Sequence, residues 1–484
     1  MKFGRAPATC STFIERVILP LRGASQRDRA PAHRYSGPIQ SIRRTRRGSA
    51  AVTQTLLDRL ENWAWDAAVL GLGYVGLPLI VTMARAGIEV TGFDIDPRVV
   101  TSLKAGRSHI DDVTEGDLAE ISDRTRYTSE ISDIKDRDVL FICVPTPLAV
   151  GKQPDVSYIE RAAELIASVL RPGHVVILES TTYPGTTENT VLPILGARGL
   201  ELDRDFLLGY SPERVDPGNV SFRTSNIPRV VGGASPTSTT AVDLVYRRFV
   251  EKVFTVSNAR TAEMAKLLEN TFRWVNIALV NELSFVARAI GVNIWEVIEA
   301  AATKPFGFMP FYPGPGVGGH CIPLDPFYLQ WAGRVAGEGT RFIELAEWIN
   351  TRMPRVAVSR VQDALNEQGK ALRGAKILVL GVAFKPNVSD HRESPAIECI
   401  RGLMEAGAVI EYSDPHVPKV IEDRFALEAV PLTSERLAAS DCVLILTDHD
   451  AVDYANVLRH STLIVDTRNA LGRRGLGGDT VRLL

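Results

Sequence analysis

Hydrophobic positions first recur at helical spacing at Leu56, Leu57, Leu60 and Trp63. This predicts a short helix over 53–65 and sets the start of ordered structure near Thr53. Apolar runs of strand length follow at Ala67–Leu70, Val90–Asp94, Val139–Val144, Val175–Leu178, Phe206–Gly209 and Arg229–Gly232. Helical stretches such as Ser157–Leu170 separate several of them, and strands alternating with helices predict a parallel sheet covered on both faces over 66–250. From Arg260 to about Gly291 the pattern becomes one long helix. A loop dense in Pro and Gly spans 304–326, and a further helical stretch runs from about Arg341 to Glu367. Strands return at Lys376–Leu380, Ala408–Tyr412, Val443–Thr447 and Leu463–Asp466.

The first strand ends in Gly71-Leu72-Gly73-Tyr74-Val75-Gly76, a GxGxxG that opens a helix. Gly71 permits the tight turn, Gly73 lets backbone approach a pyrophosphate, and Gly76 allows close helix–strand packing. Asp94 closes the second strand 18 residues past Gly76, where an acid accepts hydrogen bonds from ribose hydroxyls and repels a 2′-phosphate. The cofactor expected here is NAD rather than NADP, and Arg98, close by in sequence, is a further cofactor-side candidate. The second α/β segment begins the same way with Gly381 alone, then Lys385, and Asp414 closes its second strand. The fold class expected is α/β: two Rossmann-like, doubly wound parallel-sheet domains (66–250 and 371–484) joined by a helical middle domain (251–370). One domain would hold a dinucleotide and the other a nucleotide-linked substrate.

Composition narrows the function classes. The 484 residues carry a formal net charge of −2, so bulk charge argues for no nucleic-acid and no membrane partner. No run of about 18 apolar residues is present to span a bilayer. Residues 1–50 hold 11 Lys/Arg against two Asp/Glu, with Arg43, Arg44, Arg46 and Arg47 clustered. This basic leader, 1–52, lacks sustained periodicity and is expected to be disordered; its composition also matches an organelle transit peptide. The five cysteines (Cys10, Cys143, Cys321, Cys399, Cys442) are scattered, which supports neither a disulfide framework nor a thiolate metal site. They fit a reducing cytoplasm.

The most unusual stretch runs from Pro313 to Asp325, where Gly314, Gly316, Gly318 and Gly319 lead to Cys321. Glycines let backbone fold tightly around a ligand and present a thiol. A thiol becomes a useful nucleophile when a cation or helix-terminal N–H groups lower its pKa. Cys143, Cys399 and Cys442 lie in apolar patterns and read as small buried hydrophobes. On the middle helix Lys266 and Asn270 lie one turn apart on one face, with Arg273 nearby. Lining a cleft, Lys266 would stabilise an oxyanion and Asn270 would fix a sugar hydroxyl; otherwise they form a solvated face. Glu213 follows a strand, where ligand-facing residues of parallel sheets gather.

Seven ordered motifs together resemble the UDP-glucose/GDP-mannose dehydrogenase family over nearly everything after the leader. They are GLGYVGLP at 71–78, VPTP at 144–147, STTYPGT at 180–186, SPERVDPG at 211–218, AEMAKLLEN at 262–270, GGHCIPLDP at 318–326 and GVAFKPNVSDHRESP at 381–395. The resemblance implies NAD in the first domain, a UDP-sugar mainly in the last, and a homodimer or higher oligomer built on the middle helices. It implies two oxidations of a primary alcohol to a carboxylate in one site, through a thiohemiacetal and a thioester on Cys321. Carried over by motif, Lys266 stabilises oxyanions and Asp325 orders water or moves a proton. Thr181 and Glu213 hold the catalytic water, with Glu213 the candidate base, and Asn270 holds substrate. Tyr74, Val75, Pro145, Thr146, Thr181 and Arg392 belong to the cofactor side, Arg392 lying between cofactor and substrate, and Lys385 and Arg468 to the substrate pocket. The GGHC loop, the segment Lys304–Tyr312 and the helix before the glycine turn are similar to UDP-N-acetylglucosamine 6-dehydrogenases of bacterial surface-polysaccharide pathways. UDP-glucose, UDP-N-acetylmannosamine and UDP-N-acetylgalactosamine are the alternative substrates. Two other classes compete: an idle sugar-nucleotide-binding protein, against which the intact Cys321, Lys266, Asn270 and Asp325 argue, and a two-electron dehydrogenase with a Tyr/Lys pair, whose YxxxK the first domain lacks.

Overall fold

A computed structural model describes residues 46–215, 224–319 and 321–484, with side chains from residue 53 onward. The leader up to residue 45, His320 and the end of the SPERVDPG motif therefore lie outside the described residues. Helix α1 (Arg46–Glu61) begins seven residues ahead of the expected start at Thr53. Burial of Leu56 and Leu60 fixes its last turns, and elongation backward through an Ala-containing segment needs no further nucleus.

Eight strands form the first sheet: β1 (Ala67–Leu70), β2 (Val90–Phe93), β3 (Thr125–Thr128), β4 (Val139–Ile142), β5 (His174–Leu178), β6 (Phe206–Tyr210), β7 (Arg229–Gly233) and β8 (Val253–Thr255). Their order is β8-β7-β6-β5-β4-β1-β2-β3, so the chain leaves β1 in one direction and returns beside it as β4. That reversal opens a crevice at the carboxyl ends of β1 and β4, where such sheets bind ligands. The expectation of a wholly parallel sheet fails at one pair. β7 runs antiparallel to β6, with Tyr210 opposite Gly232 and Gly209 opposite Gly233. No helix is seen between β6 and β7 among the described residues of that connection, so the chain turns back beside the strand it has just left.

Helix α2 (Gly76–Arg85) follows the glycine turn, and helix α3 (Ala259–Ala289) is the long middle helix. The Pro/Gly-rich loop ends earlier than its composition suggests, because Pro326 occupies the first turn of helix α4 (Asp325–Val335). The single helical stretch expected over 341–367 is two helices, α5 (Arg341–Asn350) and α6 (Met353–Glu367). Pro354 begins the second, where its missing N–H costs nothing. The last sheet is fully parallel: β9 (Lys376–Leu380), β10 (Val409–Ser413), β11 (Cys442–Ile445), β12 (Ile464–Asp466) and β13 (Val481–Leu483), in the order β10-β9-β11-β12-β13. It repeats the reversal around its first strand. Apolar cores pack on both faces of each sheet.

Candidate active site

Each glycine of the first turn has a separate physical reason. Gly71 has φ +94°, and a Cβ there would lie 2.5 Å from the Cys143 carbonyl oxygen. A Cβ on Gly76 would lie 1.9 Å from the Gly71 oxygen. Gly73 instead faces open space, with nothing within 4 Å of a Cβ, which is the approach a pyrophosphate needs. No side chain caps α2, although Leu77 N and Leu79 N already donate to the Gly73 and Val75 carbonyls (3.1 and 3.2 Å). Asp94 accepts from Leu72 N (3.0 Å) and Asp96 N (2.9 Å), which ties the glycine turn to the end of β2. Arg98 turns away from it and forms a two-pronged pair with Asp96. Tyr74 and Pro145 are exposed, Val75 is half-buried, and buried Thr146 presents its carbonyl to the Tyr328 hydroxyl of α4 (3.0 Å). The residues present fit a dinucleotide.

The second nucleotide-type turn copies this construction. Gly381 has φ +81°, and a Cβ would lie 2.7 Å from the Thr447 oxygen. Asp414 accepts from Val382 N (2.7 Å) and Val417 N (3.0 Å), and His449 Nε2 lies 3.1 Å from it. His449 Nδ1 accepts from Asn387 N (3.0 Å), so this fully buried imidazole fixes the loop that carries Lys385. Lys385 is half-buried, its Nζ 5.5 Å above the Phe384 ring. Arg392 lies 4.7 Å over the Tyr74 ring and pairs with Asp390 (2.7 Å), which brings the two domain rims together.

Between the rims stands the nucleophile loop. The Cys321 carbonyl accepts from Leu324 N (3.1 Å) and Asp325 N (2.9 Å), so the cysteine sits at the N-terminal end of α4. A helix N-terminus favours a thiolate. Cys321 is exposed, whereas Cys143, Cys399 and Cys442 are buried. Burial pushes the Cys442 thiol up to about 12, with Cys143 and Cys399 raised for the same reason. Hydrogen bonds to Asp390 hold the Arg392 guanidinium above its ordinary value, and Tyr74 and Cys321 add to that effect, so cation and thiol are within electrostatic reach. The loop glycines are shaped by the last domain. A Cβ on Gly314 would meet the Arg468 guanidinium at 2.5 Å, one on Gly316 the Pro395 Cβ at 2.7 Å, and one on Gly319 the Phe384 ring at 2.8 Å. Gly319 also has φ +85°. Arg468 donates to the Leu446 carbonyl (2.9 Å), and burial lowers its pKa to about 10.

Lys266, Asn270 and Asp325 converge from α3 and the start of α4. Asn270 Nδ2 donates to Asp325 Oδ2 at 2.5 Å. Lys266 is 8% exposed and Asp325 2%. Burial pushes the Asp325 carboxyl from 3.8 up to about 6, against the opposing pull of Lys266 and the Asn270 bond. Arg273 is exposed. Sequence reasoning missed the buried amides beneath this site: Asn281 Oδ1 accepts from Gly314 N (3.0 Å), and Asn281 Nδ2 donates to Asn350 (3.0 Å). Lone polar residues within apolar helix faces are their only sequence signal.

Thr181 is half-buried just beyond β5. Glu213, just beyond β6, accepts from Arg214 N (2.7 Å) and Val215 N (2.8 Å) through Oε1 and pairs through Oε2 with Arg229 (2.5 Å). Arg229 and Glu179 are buried and were not singled out in the sequence; a charged residue opening or closing an apolar strand is the signal that marks them. Buried Glu263 receives Thr187 N (2.9 Å) and thereby ties the turn after Thr181 to α3.

Two nucleotide-type turns with a thiol, a lysine and a buried acid between them define a nicotinamide-dependent dehydrogenase that holds a nucleotide-linked substrate in its second α/β domain. Family models describe the same three parts: the NAD binding domain of the UDP-glucose/GDP-mannose dehydrogenase family at residues 66–250, its central domain at 260–352, and its UDP binding domain at 378–473. The chain belongs to the UDP-glucose/GDP-mannose dehydrogenase family and is an NAD-dependent nucleotide-sugar dehydrogenase. It is 38% identical over 354 residues to a UDP-N-acetyl-D-glucosamine 6-dehydrogenase of Pseudomonas aeruginosa, covering 72% of this chain and 82% of that one. Identity is also 38% over 414 residues to an NDP-N-acetyl-D-galactosaminuronic acid dehydrogenase of Ralstonia nicotianae, covering 83% and 95%. The solved UDP-D-ManNAc dehydrogenase of Pyrococcus horikoshii matches with a TM-score of 0.78 at 36% identity, over 86% of this chain and 98% of that one. Among the described residues no cluster of His, Cys, Asp and Glu suits a metal, and no helix is long and apolar enough to cross a membrane.

Proposed function

We propose that the chain oxidises the primary alcohol of UDP-N-acetylglucosamine to the carboxylate, with Cys321 as covalent catalyst. The observation that carries the mechanism is the convergence of Lys266 and Asn270 on Asp325, whose backbone N–H bonds the Cys321 carbonyl. NAD at the glycine turn supplies the two-electron oxidant for each of two successive oxidations. Lys266 stabilises the alkoxide as the alcohol loses its proton, with Asp325 moving protons and Asn270 holding the sugar. Cys321 adds to the aldehyde carbon, which keeps the aldehyde bound and makes a tetrahedral thiohemiacetal. Oxidation of that adduct leaves a thioester. Water held by Thr181 and Glu213 then bonds to the acyl carbon, the carbon–sulfur bond breaks, and Cys321 departs as thiolate. Glu213 takes the proton released by the water. The balance is one alcohol, two NAD and one water giving one acid, two NADH and two protons.

Arg468 and Lys385 are assigned to the substrate pocket, and Arg392 to the space between cofactor and substrate. The boundaries proposed are 66–250 for NAD, 251–370 for the helical middle and 371–484 for UDP-sugar. The N-acetyl preference is supported by the relatives named for N-acetylated sugars and by the segment 304–312. There Phe311 packs edge-on to Phe272 and Tyr312 stacks on Trp295, which anchors the segment, while Phe306, Phe308 and Met309 stay exposed. Those three offer apolar surface for an acetyl methyl, worth about 1–3 kcal/mol. A homodimer is supported by the apolar stripe that α3 leaves exposed, including Leu268, Phe272, Leu279, Leu283 and Val286, beside Phe342 and Trp348 of α5. A reactive exposed thiol suits a reducing compartment, and we place the enzyme in the cytoplasm.

The test is NAD reduction across a panel of UDP-sugars. Catalytic efficiency at least about tenfold higher with UDP-N-acetylglucosamine than with UDP-glucose is expected, since one methyl in an apolar pocket gives that order of selectivity. Comparable efficiencies would overturn the substrate assignment.

A further inference from the structure

The antiparallel reversal at β7 has a chemical effect. In a parallel strand, the first residue would lie at the edge of the sheet remote from the ligand crevice. Because β7 runs against β6, its first residue, Arg229, lies instead at the edge where β5 and β6 end. Continuing the Tyr210–Gly232 register outward sets Arg229 opposite Glu213. The guanidinium makes three contacts there. Nη2 pairs with Glu213 Oε2 at 2.5 Å, Nη1 donates to the Pro212 carbonyl at 2.9 Å, and Glu179 Oε2 lies 3.6 Å from Nη1. Behind it the Tyr246 hydroxyl donates to Glu179, and the Arg229 guanidinium carbon is 5.8 Å from the Tyr246 ring centre. Arg229, Glu179 and Tyr246 are all fully buried. Burial pushes the Glu179 carboxyl upward despite the nearby cation, and Glu213 is the carboxylate hydrogen-bonded directly to Arg229.

We propose that Arg229 is a positioning residue for the hydrolytic half-reaction: it fixes the Glu213 carboxylate in the orientation that delivers water to the Cys321 thioester. The proposal rests on the reading of Glu213 as the group that holds and deprotonates that water. Both Glu213 oxygens are engaged, Oε1 by two backbone N–H groups and Oε2 by Arg229, so about one acceptor site, on Oε2, is left for water. Release the Arg229 contact, and the carboxylate can swing about its Oε1 bonds. Oxidation does not use Glu213, so both oxidative steps should proceed and only release of the acid should slow.

Rapid mixing of Arg229→Lys with saturating NAD and UDP-N-acetylglucosamine, or the panel sugar turned over fastest, separates these steps. A burst of about two NADH per site is expected, the mark of acyl-enzyme accumulation. Steady turnover should then be about a hundredfold slower than in the unaltered enzyme, the order of loss for a misplacement near 1 Å. Intact mass should show the acyl adduct on Cys321, and kcat/KM for both substrates should stay within about threefold, since KM falls together with kcat when release of the acyl group alone is slowed. If Arg229→Lys does not fold, Arg229→Gln combined with Glu179→Gln removes one positive and one negative group together, and the same burst is expected. Glu213→Gln runs in parallel. A burst in Glu213→Gln without one in the Arg229 variants would overturn the positioning role alone. Absence of a burst in Glu213→Gln would overturn the reading of Glu213 and the proposal with it. A uniform loss of both oxidation and release in the Arg229 variants would show a merely structural residue.

Discussion

Replacing Asp325 with Asn should make the protein more stable at pH 8 while stopping its chemistry. The carboxyl is 2% exposed, and burial raises it from 3.8 to about 6. A shift of about two units corresponds to about 3 kcal/mol between the protonation states. Below about pH 4 the acid is protonated in folded and unfolded chains alike, and no penalty arises. As pH rises through 6 the folded state must hold a carboxylate that the unfolded chain holds more easily, so this residue lowers stability at pH 8. Asn mimics the neutral form and can still accept from Asn270. Lys266 loses a neighbouring carboxylate, which offsets part of the gain, so the expected stabilisation is about 1–3 kcal/mol at pH 8 and near zero at pH 4. Turnover should fall by about 10²–10⁴, the range for a lost acid–base group. Urea or thermal denaturation of both proteins at the two pH values gives the difference directly. An Asn variant less stable than the unaltered protein at pH 8, or one whose difference does not change with pH, would refute the reasoning.

Cys321→Ser should lower turnover at least about a thousandfold, on the order of 4 kcal/mol in the barrier, while UDP-sugar binding by calorimetry persists. Asp94→Ala should weaken NAD binding and narrow the gap to NADP; because Asp94 also ties down Leu72 N, part of the loss should appear as a looser glycine turn, and Asp94→Asn should recover that part only. Gly319→Ala places a Cβ 2.8 Å from the Phe384 ring at φ +85°, a strain of about 1–3 kcal/mol, and should reduce kcat while leaving NAD affinity unchanged.

The sequence exposes those parts of the molecule whose chemistry is local. The Gly71–Gly76 turn, its distance to Asp94 and the glycine run before Cys321 each constrain backbone within a few residues, so their residue types reveal them. Strand β3, Thr-Arg-Tyr-Thr, is an edge strand with a mostly polar face, and its apolar pattern is too thin to stand out. Helix α4 is hidden because Pro323, just ahead of it, and Pro326, in its first turn, extend the look of the loop into the helix. Arg229, Glu179 and the Asn281–Asn350 pair are defined by partners 16 to 69 residues away, and no periodicity encodes such meetings. The Lys266–Asn270–Asp325 grouping was partly legible: one helix face gives the first two, the motif after Cys321 names Asp325, and only the fold brings it against them. Arg98 shows the opposite case, where closeness in sequence to Asp94 suggested a shared role and the side chain pairs with Asp96 instead.

The proposed covalent role of Cys321 makes one quantity decisive: NADH formed per UDP-sugar consumed, with the product identified by mass. If the thiol retains the aldehyde and carries it through the thioester, two NADH appear for each sugar and the product is the uronic acid. One NADH per sugar with an aldehyde or ketone released would contradict the account.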